Sequence, residues 1–109
     1  GFDRVETGTE SGKTPALDAM ILTRPSYQRA FKQLSPPQRT AVNAAIARLP
    51  EVFGRPHLHS GIGIRPLGGV YECRIGRYLR VLFVVDRGDF ILVTDGNHEA
   101  VARFIRVNS

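Results

Sequence analysis

A chain of 109 residues, 42% hydrophobic and 23% charged, has the size and composition of one globular domain around one core. No apolar run approaches the ~20 residues of a membrane helix, and the single cysteine, Cys73, excludes an internal disulfide and fits a reducing compartment. The net charge is +5 and unevenly spread: residues 1–19 hold four acidic and two basic groups, whereas residues 20–109 hold thirteen basic against six acidic ones, a net of +7. Only Lys13 and Lys32 are lysine; the rest are arginine, which binds phosphate bidentately and keeps its charge when desolvated. That balance favours a polyanionic partner.

Residues 1–19 are polar and aperiodic and read as a flexible or expression-derived tail, with the folded domain beginning near Met20. Gly12-Lys13-Thr14 is not a phosphate-binding loop, because Thr7 stands where that motif needs its first glycine and no strand precedes it. Ala19 to Thr23 predicts a short strand. Pro25 then opens a helix with Tyr27, Ala30, Phe31 and Leu34 on one face, at the i, i+3, i+4, i+7 spacing. Ser35-Pro36-Pro37-Gln38 forms a capping box for a second helix, which carries Val42, Ala45, Ile46 and Leu49 inward and is expected to stop at Pro50. The two make a helical hairpin. His57 and His59 follow in a loop, without a third ligand nearby, so no metal site is expected.

Gly61 to Pro66 predicts an edge strand, where proline is tolerated. Three apolar runs come next, Val70–Ile75, Tyr78–Asp86 and Phe90–Asp95, each bounded by glycine-containing turns, the pattern of an antiparallel meander. Asn97 caps a last helix with Val101, Phe104 and Ile105 turned inward. The expected class is therefore α+β: an antiparallel twisted sheet with an N-terminal helical hairpin on one face and a C-terminal helix, in one domain over residues 20–109.

Period-two alternation sorts the side chains. Tyr71, Cys73 and Ile75 share a face with Leu79, Val81, Phe83 and Val85, under the hairpin. Glu72, Arg74 and Arg80 share the opposite face, and His98 follows the last strand at the same end. Phosphodiester cleavage by an RNA's own 2′-hydroxyl needs a base, cations for the pentacoordinate phosphate and an acid for the leaving 5′-oxygen. Glu72 or His98 can serve as base, Arg74 and Arg80 as clamp, and His98 as acid. Arg65, Arg77, Tyr78 and Asn97 flank this group and are candidate RNA contacts; no cofactor is implied.

Phe31-Lys-Gln-Leu34, the helical hairpin, His57-x-His59-x-Gly61, Val70-Tyr-Glu-Cys-Arg-Ile75, Tyr78-Leu-Arg-Val-Leu-Phe83 and Gly96-Asn-His-Glu99 together resemble the RelE/ParE superfamily of toxins from bacterial toxin–antitoxin pairs. The resemblance covers about residues 20–106. It implies a cytoplasmic toxin neutralised by a cognate antitoxin, and, in its mRNA-cutting branches, metal-independent endoribonuclease action at the ribosome. Arg74 matches a basic strand position, Arg80 the arginine that holds the scissile phosphate, and His98 the basic residue after the last strand. Glu72 departs from the lysine of RelE-like members and Phe104 from a tyrosine, which moves the resemblance toward a YoeB-like carboxylate–arginine–histidine set. The alternatives are a ParE-like inhibitor of DNA gyrase and a catalytically degenerate, antitoxin-binding member.

Overall fold

In the computed structural model, residues 19–55 and 62–108 are described; His57, His59 and Gly61 lie outside them. The elements run β1 (Ile21–Thr23), α1 (Pro25–Lys32), α2 (Pro36–Val52), β2 (Ile62–Leu67), β3 (Val70–Ile75), β4 (Leu79–Asp86), β5 (Asp89–Gly96) and α3 (His98–Asn108). The strands form one sheet in the order β1-β5-β4-β3-β2. Strands β2 to β5 are the antiparallel meander that alternation predicts. The sheet is nonetheless mixed, because β1 pairs with β5 in parallel, Ile21 opposite Phe90 and Thr23 opposite Leu92. A parallel neighbour needs a long crossover, and here the helical hairpin with the three following strands provides it.

Both predicted start signals operate. Ser35 Oγ accepts from the Gln38 amide (3.3 Å) while Gln38 Oε1 accepts from the Ser35 amide (2.9 Å), closing the box that starts α2. Pro50 does not end that helix, which runs on to Val52. Proline this close to a C-terminus removes one intrahelical bond, and Leu49 and Val52, both fully buried, hold the last turn against the sheet.

The sheet has a large core on one face and a small one on the other. Under the hairpin, Tyr27, Leu34, Val42, Ala45, Ile46, Leu49 and Val52 meet Cys73, Ile75, Leu79, Val81, Phe83, Phe90 and Leu92. Phe53, Tyr71, Phe83 and Phe90 stack there edge and face, with ring centroids 5.0–6.0 Å apart. On the other face α3 lays Val101, Phe104 and Ile105 on Leu82, Val84 and Val93. Burial of that helix is slight, and a groove of about 550 Å³ lies open between Phe104, Ile105 and the β2–β3 turn.

One irregularity decides which residues face which side. Phe83 pairs with Leu92 and Leu82 with Thr94, so Val93 is a bulge in β5. Its carbonyl accepts a hydrogen bond from Ser26 Oγ at the start of α1. Beyond the bulge Asp95 lies opposite Val81, on the hairpin face, and Gly96 lies opposite Arg80.

Candidate phosphate-binding site

A transverse row crosses the sheet at one end: Gly63 on β2, Arg74 on β3, Arg80 on β4 and Gly96 on β5 are successive partners. The two arginines stand side by side between two residues without side chains. Arg74 is exposed and makes no hydrogen bond or ion pair among the described residues. Arg80 is only 14% exposed. Like charges opposite each other on neighbouring strands repel, so the pair has a built-in demand for negative charge.

Glu72 answers part of that demand. Its side chain, 3% exposed, holds Arg65 Nε by Oε1 at 2.9 Å and faces Arg80 Nε with Oε2 at 3.3 Å. The Arg65 contact is an aligned hydrogen bond; the Arg80 contact is an ion pair by distance, but Arg80 Nε and Nη1 are buried without an aligned acceptor. Two guanidinium groups thus share one carboxylate, and with Arg74 beside them the patch keeps a net positive charge.

The last strand and helix complete the site's edge. Gly96 has φ +141°, and a Cβ there would sit 3.1 Å from the Ala100 Cβ, so the close approach of α3 to β5 requires glycine at this point. Asn97 Oδ1 accepts from the Ala100 amide at 2.8 Å and caps α3. His98, the first residue of the helix, is exposed two positions beyond the partner of Arg80. Arg77 and Tyr78 occupy the β3–β4 turn at the same end, Tyr78 with most of its ring in solvent.

Of the residues singled out from sequence, Arg74, Arg80, His98, Arg77, Tyr78 and Asn97 therefore cluster at one end of the sheet, with Arg65 and Glu72 two rows further in, on the same face as Arg74 and Arg80. Glu72 differs from the expectation of an open base: it is buried, with an arginine against each carboxylate oxygen. Asn97 spends its side-chain oxygen on the helix cap. Cys73 lies in the hairpin core, where burial pushes its thiol up to about 11 and leaves it unreactive. Among the described residues no three His, Cys, Asp or Glu side chains are grouped to hold a metal ion.

Asp95 was not singled out from sequence. It is 3% exposed beneath the hairpin, and neither carboxylate oxygen has a hydrogen-bond partner among the described residues. Burial pushes its pKa up to about 7, and burial followed by the nearby Asp95 carboxylate raises that of Tyr27.

No protein-family model matches the chain, and no curated protein matches it. Solved structures do. YafQ from E. coli strain BL21(DE3) superposes with a TM-score of 0.61 at 10% identity, over 76% of this chain and 97% of that one. The RelE–RelB antitoxin–toxin complex from Methanococcus jannaschii contains a chain matching with a TM-score of 0.57 at 14% identity, over 76% and 96%. A chain of the YoeB–YefM complex from Staphylococcus aureus matches with a TM-score of 0.54 at 20% identity, over 73% and 97%. The chain has the fold of the RelE-like toxins of toxin–antitoxin pairs. Within that fold its matches span YafQ, RelE and YoeB structures at similar distance.

Proposed function

We propose that this protein is the toxin of a toxin–antitoxin pair and an endoribonuclease that cuts messenger RNA at the ribosome. The fold supports the first half, since toxin–antitoxin complexes stand among the matching structures. The Arg74–Arg80 pair supports the second: two guanidiniums directly opposite each other on neighbouring strands, Arg74 exposed and Arg80 partly exposed beside it. Cations held side by side on paired strands stabilise a phosphate whose charge grows in the transition state.

In the reaction this site fits, the 2′-oxygen attacks the adjacent phosphorus while the bond to the 5′-oxygen breaks. The products are a 2′,3′-cyclic phosphate and a free 5′-hydroxyl. Arg80 and Arg74 hold the non-bridging oxygens, and His98 donates a proton to the departing 5′-oxygen. Solvent or a group of the ribosome takes the proton of the 2′-hydroxyl, because Glu72 is engaged with Arg65 and Arg80. The partner is a cognate antitoxin.

Mapping transcript ends after a brief pulse of expression, with and without active ribosomes, tests this reading. Arg80→Ala is expected to remove about 3–4 kcal/mol of transition-state stabilisation, a hundred- to thousandfold loss of cleavage, together with a lower melting temperature because buried Glu72 loses one of its two cations; His98→Ala, at an exposed position, lowers cleavage with unchanged thermal unfolding. Intact transcripts together with DNA breaks and blocked supercoiling would replace the nuclease by a gyrase inhibitor. Growth arrest undiminished in both variants would remove the nuclease reading.

A further inference from the structure

Glu72 and Arg65 are idle in that reaction, yet their arrangement is specific. Arg65 lies on the edge strand β2 directly opposite Glu72, and Glu72 reaches diagonally from β3 to Arg80 on β4. One buried carboxylate therefore ties the two guanidiniums together by their Nε atoms. Arg65 is 61% exposed, so the outer edge of its guanidinium faces solvent with no further partner among the described residues. Burying a carboxylate is costly unless it is fully paired, and an exposed salt link at a sheet edge contributes little to stability. Holding Arg65 at a fixed spacing from Arg80 is what the arrangement does beyond pairing charge.

We infer that Glu72 is a positioning residue that fixes Arg65 as a second phosphate subsite, next to the one at Arg80, so the substrate is a polynucleotide strand gripped at two phosphates. This rests on the nuclease reading and deepens it. Arg74 and Arg80 act on the scissile phosphate; Arg65 binds its neighbour along the strand, toward the β2 edge. A guanidinium already fixed by its Nε loses little freedom on binding and presents its remaining N–H pair to a phosphate. The charge excess of the patch admits two anions where a lone Arg–Glu pair would admit none.

The test measures binding of a 2′-O-methyl RNA hexamer, which cannot be cut, over a range of salt, and steady-state cleavage of the matching unmodified RNA on ribosomes. Arg65→Ala removes an exposed side chain and is expected to weaken hexamer binding about tenfold, lower the slope of log affinity against log salt by about 1, and place its cleavage loss in KM. Arg65→Lys restores the salt slope. Glu72→Gln, which keeps the shape and removes the charge, is expected to lower both binding and kcat by releasing Arg65 and Arg80 together. A purely structural Glu72 would instead lower the melting temperature and leave the salt slope and the KM-to-kcat division alone. If Arg80→Ala abolishes cleavage while Arg65→Ala binds and cuts like the parent protein, the second subsite is wrong and the nuclease reading stands. If the parent protein neither binds nor cuts RNA, both fall.

Discussion

Two carboxylates are almost wholly buried on opposite faces of the same sheet, and they are handled in opposite ways. Glu72, facing α3, has an arginine within 3.3 Å of each oxygen. Asp95, facing the hairpin, has no hydrogen-bond partner among the described residues, and burial raises its pKa to about 7. A buried acid is either matched with cations or neutralised by a proton; this sheet does one on each side. The face with matched charges carries the proposed phosphate site. The other is a hydrophobic core carrying one acid that titrates close to neutral pH.

The contrast can be attacked in order of effect. Phe83→Ala, at the centre of the aromatic cluster on the hairpin face, is expected to cost about 3–5 kcal/mol, measured by denaturant unfolding. Asp95 comes next. Its folded pKa lies above the unfolded value of 3.8, so between these values the folded state holds a proton that the unfolded state has lost. Its contribution is therefore fully present below pH ~4, declines as pH rises through about 7, and is flat above, with a total change of at most about 4 kcal/mol. Asp95→Asn should flatten that decline when melting is followed from pH 5 to 8; an unchanged pH profile would show that Asp95 does not carry it. The smallest effect belongs to the opposite face, where Val101→Ala should cost about 1–2 kcal/mol, since α3 rests on a cluster of few buried residues.

The meander was readable because its strands are long enough for alternation to fix their faces. Cys73, Val81 and Phe83 fell under the hairpin and Arg74 and Arg80 away from it, as the period of two requires. The helix starts were readable for the same local reason: Ser35 with Gln38, and Asn97, announce their caps. What escaped depends on distant chain. Three residues of β1 carry no periodicity that could choose a parallel partner almost seventy residues away. Burial of Glu72 depends on where Arg65 and Arg80 lie across the register, which composition does not encode. Asp95 escaped because regular alternation from Phe90 and Leu92 would send Thr94 to the hairpin face, and the bulge at Val93 exchanges the two.

That surplus residue in β5 reaches as far as the chemistry. Were the ladder unbroken, every position after Leu92 would shift by one, and Asp95 rather than Gly96 would stand across from Arg80. A carboxylate at that spot would be an internal competitor for any incoming anion. Turning it under the hairpin leaves a bare backbone beside the guanidinium, so a single inserted valine keeps the molecule's own carboxylate off the place proposed for the phosphate.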